Sequence, residues 1–164
     1  MDNFVIIKNG VTLSLVYILL TLILFIVGID MEQWAKWLVL AITFVCIVFS
    51  IKLYADTLDD KDATFGQLFK VGFFSSLLFV IIVCLFMVLY VKVIDVDFYE
   101  KINDLAREEM KAQNISEDKM ESFIEAGKKY MTVPFLLLST FLSNLITCNI
   151  GNLIGALYFR KNKD

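Results

Sequence analysis

The sequence predicts an all-α, polytopic membrane protein with four transmembrane helices and an extracytoplasmic antiparallel helical hairpin between helices three and four. Two observations lead to this prediction. Hydrophobic residues make up 59% of the 164 residues and the mean hydropathy is +0.73, whereas soluble domains are about half apolar. These residues are also gathered into long runs, and a bilayer core of about 30 Å is crossed by roughly 20 helical residues.

The apolar runs predict a single membrane domain over residues 1–164. The predicted spans are about residues 5–29, 34–55, 64–94 and 131–159. The first run is longer than a signal-peptide core and no small-residue cleavage motif follows it, so we expect it to be retained as a span. The third span should begin with a capping box, in which Thr64 caps the helix and the Gln67 side chain bonds back to the cap.

Residues 96–130 are the only sizeable polar segment, and we expect them to form the hairpin as an insertion between two spans. Asp97 and Ser116 are residue types that cap helix N-termini, and each is followed by acidic residues in the first turn. Apolar residues recur at helical spacing after both positions. The two apolar stripes predict helices that pack on each other and are continuous with the third and fourth spans.

The distribution of basic residues predicts the orientation. The side of the membrane that holds both termini has seven Lys and Arg residues in short segments. The opposite side has eight, seven of which are diluted among ten acids in residues 92–129. Because the positive-inside rule applies to short loops, we expect both termini in the cytoplasm and the hairpin outside it.

The residue types present argue against catalytic and metal chemistry. The chain has no histidine, and its three cysteines lie in three different apolar runs, so neither a zinc site nor a disulfide framework is expected. The acidic loop at residues 56–62 lacks the glycine and glutamate positions of an EF-hand. The apolar runs contain no ionisable side chain of the kind that marks proton relays. We therefore expect no enzyme activity, no catalytic residue, no metal and no cofactor, and without a basic stripe we expect no nucleic-acid partner.

The fourth predicted span carries small and polar residues on one side. At about 100° per residue, most of them lie within one third of the helix circumference, whereas Asn149 points the opposite way. The helix-packing or interaction residues are Asn144, Thr147, Cys148, Gly151, Asn152 and Gly155. Small residues let helices approach closely and amides bond between helices. This face could pack within its own bundle, pack against another chain, or form a polar site on its asparagines.

Two segments are similar to those of a known family. They are "ATFGQLFKVGFF" and "YVKVIDVDFYEKI", the latter followed by "NISEDKMESFIEAGKKYMTVPFLLL". The chain resembles the bacterial membrane family known as domain of unknown function 4199, whose members show "TFGQAFKVG"-like, "DP-F", "LSEEQIE"-like and "M-P" motifs. Val96 stands in place of the usual proline and Ile115 in place of leucine. The resemblance implies a four-span protein of the bacterial cytoplasmic membrane and assigns no catalytic residue.

Two functional hypotheses follow. The first is a non-catalytic assembly or partner-binding protein that acts through the hairpin and the small-residue face of the fourth helix. The second is a subunit of an oligomeric transporter or channel, with the polar face of that helix along the path. Within the predicted spans the only charged residues are lysines near the ends, where their side chains can reach the membrane surface. The absence of charge from the middle of the spans favours the first hypothesis. The expected partners are the lipid bilayer and a membrane protein or a second copy of the chain.

Overall fold

A computed structural model describes residues 3–59 and 63–161, without the side chain of Gln33. Residues 60–62 of the predicted acidic loop lie outside this description. The described residues form six α-helices, one π-helix and no strand, which confirms the all-α prediction. The α-helices are α1 (Asn3–Val27), α2 (Gln33–Asp56), α3 (Phe65–Leu89), α4 (Phe98–Ala112), α5 (Glu117–Lys128) and α6 (Val133–Phe159). The π-helix, Tyr90–Ile94, directly follows α3.

Four helical segments are long and apolar enough to cross a bilayer. They are Asn3–Val27, Trp34–Asp56, Phe65–Ile94 and Val133–Phe159, with mean hydropathies between 1.6 and 3.0. Each segment ends within about two residues of a predicted span, at the precision to which helix ends are defined. Four such segments make the chain a multi-pass membrane protein.

The start of α3 forms only half of the predicted capping box. Thr64 Oγ1 accepts a hydrogen bond from the Gln67 backbone N–H at 3.3 Å, as expected of a cap. The Gln67 side chain does not bond back to Thr64; it is turned toward α2, where its Nε2 donates to the hydroxyl of Tyr54 at 3.4 Å. Tyr54 is buried, and a buried hydroxyl without a partner is costly, so this tertiary bond takes the amide from the cap.

The turn between α4 and α5 depends on one left-handed residue. Asn114 has φ of 55°, a conformation that asparagine tolerates better than most residues. Its N–H donates to Lys111 O at 3.0 Å, and the N–H of Ile115 donates to Met110 O at 3.1 Å. These two bonds form a Schellman motif, which satisfies the last carbonyls of α4 and stops the helix. Gly28, with φ of 76°, ends α1 in the same way.

The chain divides into two compact units. The first contains Met1–Val83 and Phe141–Asp164. Within it, α1 and α2 pack together, and α1 approaches α3 so closely that a Cβ at Gly10 would lie 2.8 Å from the backbone oxygen of Ser75. The buried hydroxyl of Ser14 bonds to its own helix, donating to the Gly10 carbonyl at 2.7 Å. Such bonds satisfy polar side chains where water is absent.

The second unit contains Cys84–Thr140. In it, α4 and α5 pack against each other as a helical hairpin, with Met120 and Ile124 of α5 buried. Non-helical residues 95–97 and 129–132 separate the hairpin helices from α3 and α6. The hairpin helices are therefore not continuous with the long helices, contrary to the expectation. At the first junction the last π-helical bond joins the Asp95 N–H to Tyr90 O at 2.8 Å, and the helix ends there because Asp95, with φ of −122° and ψ of 78°, lies outside the helical region.

Candidate functional site

The structure places the predicted small-residue face of α6 in the interior of the first unit. Asn144 and Thr147 are half-buried there. The other members of the face are buried: Cys148, Gly151, Asn152 and Gly155. A Cβ at Gly151 would lie 3.1 Å from Ile47 of α2, and one at Gly155 would lie 2.9 Å from Ile51 of the same helix. Two glycines of this face are thus in contact with α2.

Asn152 connects α6 to α3. Its Nδ2 donates to Ser76 Oγ at 2.9 Å, and the whole residue is buried. Its Oδ1 lies only 2.6 Å from the position that a Cβ of Gly72 would occupy. Gly72 presents only a Cα hydrogen there, which can form a weak C–H···O contact. This part of the predicted face is therefore occupied by helices of the same chain.

Asn149 lies elsewhere on α6 and is half-buried. Its Nδ2 donates to the carbonyl oxygen of Leu145, four residues earlier, at 2.7 Å. The amide is thus held by its own helix, which is a usual way for a polar side chain to face lipid.

A buried carboxylate in the second unit is a feature that the sequence did not predict. Asp95 is 3% exposed and follows the π-helix directly. Its Oδ1 accepts from Lys101 Nζ at 2.9 Å, while its Oδ2 has no partner among the described residues. Because a buried charge is costly unless it is paired, the ion pair holds the first turns of α4 to the end of the π-helix. Asp95 is the aspartate of the "DP-F"-like motif, and this motif is the only feature of the sequence that singles the residue out.

An aromatic cluster supports this junction. Tyr90 is 2% exposed, and its ring centroid lies 5.8 Å from that of Phe86 and 6.0 Å from that of Phe98. Phe98 is the first residue of α4 and the phenylalanine of the same motif. Edge-to-face contacts of this kind add to the hydrophobic burial of the rings. π-Helical segments are frequent at functional sites, which makes this junction a candidate site.

Two further polar atoms without a partner follow on α4. The hydroxyl of Tyr99 and Oδ1 of Asn103 are buried and make no hydrogen bond to any described residue. The two residues are four apart and therefore lie on the same side of the helix. Burial raises the pKa of Tyr99 above its usual value of 10.0, so its hydroxyl keeps its proton at neutral pH.

An apolar groove of about 380 Å³ lies between α4 and α5. Phe123, which is 62% exposed, forms part of its wall. The other lining residues are Asn103, Ala106, Glu109, Met110, Gln113, Ile115, Ile124, Gly127 and Met131. No atom lies within 4 Å of the position of a Cβ on Gly127, so the groove has free space at that point. Concave apolar surfaces with a few polar groups are the usual form of binding sites.

A second pocket, of about 320 Å³, lies at the start of α3 in the first unit. Its lining residues are Tyr54, Thr64, Gly66, Gln67, Lys70 and Val71. Most of them belong to the "TFGQLFKV" segment. The first-turn N–H groups of α3 and the Lys70 ammonium give this pocket a positive character.

The described part of the chain contains no cluster of side chains suited to bind a metal ion. No group of three or more His, Cys, Asp or Glu side chains lies together there. Asp95 contributes a single carboxylate, and Lys101 Nζ already bonds to one of its oxygens.

Comparison with known proteins gives one match. The family model described as "Protein of unknown function (DUF4199)" matches residues 8–161, a range that includes both the α6 face and the stretch from Asp95 to Asn103. No curated protein and no solved structure matches the chain.

Proposed function

We propose that this chain, which belongs to the DUF4199 family of proteins of unknown function, is a non-catalytic membrane protein that binds a partner protein through its α4–α5 hairpin. The groove between α4 and α5 is the observation on which the proposal rests. It is apolar and open, and Phe123 at its wall is mostly exposed. An exposed aromatic side chain beside a groove is a typical anchor of protein interfaces.

Of the two surfaces expected to bind a partner, the hairpin is the better supported. Cys148, Gly151, Asn152 and Gly155 of the α6 face are covered by the chain itself. The hairpin groove is not covered in this way. The proposal therefore assigns partner binding to the hairpin, and assigns these buried residues of α6 to packing of the first unit.

The position of the groove favours a partner that is itself a membrane protein. Met131 lines the groove, and α6 begins at Val133. At about 3.5 Å per extended residue, two residues place this end of the groove within roughly 7 Å of a membrane-crossing helix. A partner held at the same surface meets the groove at a high effective concentration. The lipid bilayer is the other partner that we propose, and neither a nucleic acid nor a catalytic step forms part of the function.

Site-specific photocrosslinking in native membranes tests this function. A photoreactive amino acid at position 123 should give a protein adduct, whereas one at Glu108, which is exposed and does not line the groove, should not. Gly127→Leu should reduce the adduct about tenfold by filling the groove. An adduct of twice the chain mass would identify the partner as a second copy. Equal adducts at both positions, or none with protein, would refute partner binding at the groove.

The same proposal places the protein in the bacterial cytoplasmic membrane with both termini in the cytoplasm. The positive-inside bias of the short basic segments supports this orientation. A cysteine at Asn114, in the exposed turn between α4 and α5, should be labelled from outside intact spheroplasts. A cysteine at Asp59 serves as the matched control and should be labelled only after permeabilisation. The reverse pattern would overturn the orientation.

A transporter or channel subunit is the second candidate. Ser75 Oγ and Asn152 Oδ1 are buried within membrane-crossing helices and have no hydrogen-bond partner among the described residues. Polar atoms of this kind are found along substrate and ion paths. Flux through proteoliposomes that is lost in Asn152→Leu would favour this candidate. No flux above that of empty liposomes would exclude it.

A further inference from the structure

We infer that the buried side of the chain from Asp95 to Asn103 is a binding site for an uncharged, hydroxyl-rich group such as a sugar or glycerol. The inference goes beyond partner binding, because it concerns a ligand and its chemistry. It rests on the polar atoms that α4 and the residues before it bury without a partner.

These atoms are concentrated in one place. Asp95 Oδ2, the Tyr99 hydroxyl and Asn103 Oδ1 follow one another at intervals of four residues. The structure shows five buried side-chain polar atoms without a partner among the described residues, and three of them lie in this stretch. Native proteins leave few buried polar groups unpaired, and each one calls for an explanation. Asp95 precedes α4, and Tyr99 and Asn103 lie on one side of its first turns. Three unpaired atoms within nine residues point to a shared partner that completes their hydrogen bonds.

The atoms define what that partner must offer. A carboxylate oxygen and an amide oxygen only accept hydrogen bonds, and a tyrosine hydroxyl can donate one and also accept. The ligand must therefore supply at least two donors and can use one acceptor. A hydroxyl group both donates and accepts, so two or three neighbouring hydroxyls match the set.

The charges at the site argue against a charged ligand. The Lys101 ammonium already neutralises Asp95 at 2.9 Å. A metal ion or an alkylammonium at Oδ2 would lie close to that ammonium and be repelled by it. An anion would lie close to the carboxylate. An uncharged donor meets neither obstacle, and it leaves the ion pair intact.

The groove between α4 and α5 provides access at Asn103, the one residue of this set in its lining. The groove has a volume of about 380 Å³, and we infer that the ligand reaches from it toward Tyr99 and Asp95. Met131 places one end of the groove close to a membrane-crossing helix. Both a lipid headgroup and a free polyol could therefore reach the site.

The test uses the full chain in phosphatidylcholine nanodiscs, with thermal unfolding followed by tryptophan fluorescence. One arm adds monoglucosyl diacylglycerol to the bilayer, and a second adds free glucose to the buffer. At a tenfold excess over the dissociation constant, either ligand should raise the unfolding midpoint by about 3–5 °C. A shift with the lipid alone identifies a headgroup as the source, and a shift with both identifies the sugar itself as sufficient; both results support the site.

Matched variants locate the effect. Tyr99→Phe and Asn103→Leu should each weaken the apparent affinity at least tenfold, whereas Tyr158→Phe, at an exposed tyrosine, should not. Tyr99→Phe removes a buried hydroxyl that has no partner, so without ligand it should be no less stable than the wild type. No shift with either sugar, which is the result for a site that holds only water, would overturn the inference. A shift that Tyr99→Phe retains in full would also overturn it.

Discussion

Gly10→Ala should destabilise the first unit, because α1 and α3 are closest at this residue. The added Cβ would lie 2.8 Å from the backbone oxygen of Ser75 and 3.0 Å from the Cβ of Leu78. Both atoms are fixed to the α3 backbone, so neither can rotate away. The substitution can be accommodated only if the helices separate.

The cost can be worked out by comparison with Gly66. Ordinary Cβ contacts begin at about 3.4 Å, so α1 must move by roughly half an ångström, and overpacking of this kind costs about 1–3 kcal/mol. Alanine also gains up to about 1 kcal/mol over glycine in a helix. At Gly66 nothing lies within 4 Å of the added Cβ. Gly66→Ala should therefore be neutral or stabilising, and Gly10→Ala should be less stable than Gly66→Ala by about 1–3 kcal/mol.

Equilibrium unfolding in mixed micelles, with a rising mole fraction of sodium dodecyl sulfate, gives the free energy of unfolding of both variants. Because the chemical change is the same in both, the comparison isolates the clash between helices from the gain in helix propensity. Equal stability of the two variants, within about 0.5 kcal/mol, would show that the close approach of α1 and α3 is not present in the protein.

Three further predictions use the same measurement. Gly151→Leu should lower the free energy of unfolding by about 1–3 kcal/mol more than Asn149→Leu. The reason is that Gly151 already contacts α2, whereas the Asn149 side chain bonds to its own helix. The opposite order would show that the buried face has been assigned wrongly. Lys101→Met should lower the free energy of unfolding by about 1–3 kcal/mol, because it leaves the buried Asp95 unpaired. The Lys101 side chain is 40% exposed, and water screening therefore keeps the loss at this level. The loss should shrink when Asp95→Asn is added, and an unchanged loss would contradict the pairing. The raised pKa of Tyr99 means that the unfolded chain loses this proton first, so the free energy of unfolding should fall as the pH rises above 10.0, and fall less in Tyr99→Phe. Identical pH profiles would exclude the burial of this hydroxyl.

The helices could be predicted because their signals are local and strong. Long apolar runs in a bilayer have one common solution, a membrane-crossing helix, and the predicted ends lie within about two residues of those observed. Asp97 and Ser116 stand at the N-caps of α4 and α5, although neither side chain makes a capping bond. Residue type thus predicted where these helices begin, but not which hydrogen bonds form there.

The polar site on α4 could not be predicted, because the burial of its atoms depends on the local backbone geometry and the tertiary packing of residues 95–103. Asp95 looks like a surface residue in the sequence, with further acids after it. It is buried directly after a π-helix, and no residue pattern in Tyr90–Ile94 distinguishes a π-helix from another α-helical turn. For the same reason the Gln67 amide was assigned to its own helix cap, when a tyrosine thirteen residues away accepts its hydrogen bond.

Gly72 and Asn152 illustrate how such contacts constrain a sequence over time. The amide oxygen occupies the space where any side chain at position 72 would begin. A mutation at Gly72 alone is therefore obstructed while asparagine is present, and the loss of Asn152 alone leaves Ser76 without its donor. Replacing both with alanine removes the obstruction, since the space vacated by the amide admits the new methyl group. Homologous sequences with a side chain at position 72 should therefore lack asparagine at position 152, which is 80 residues away.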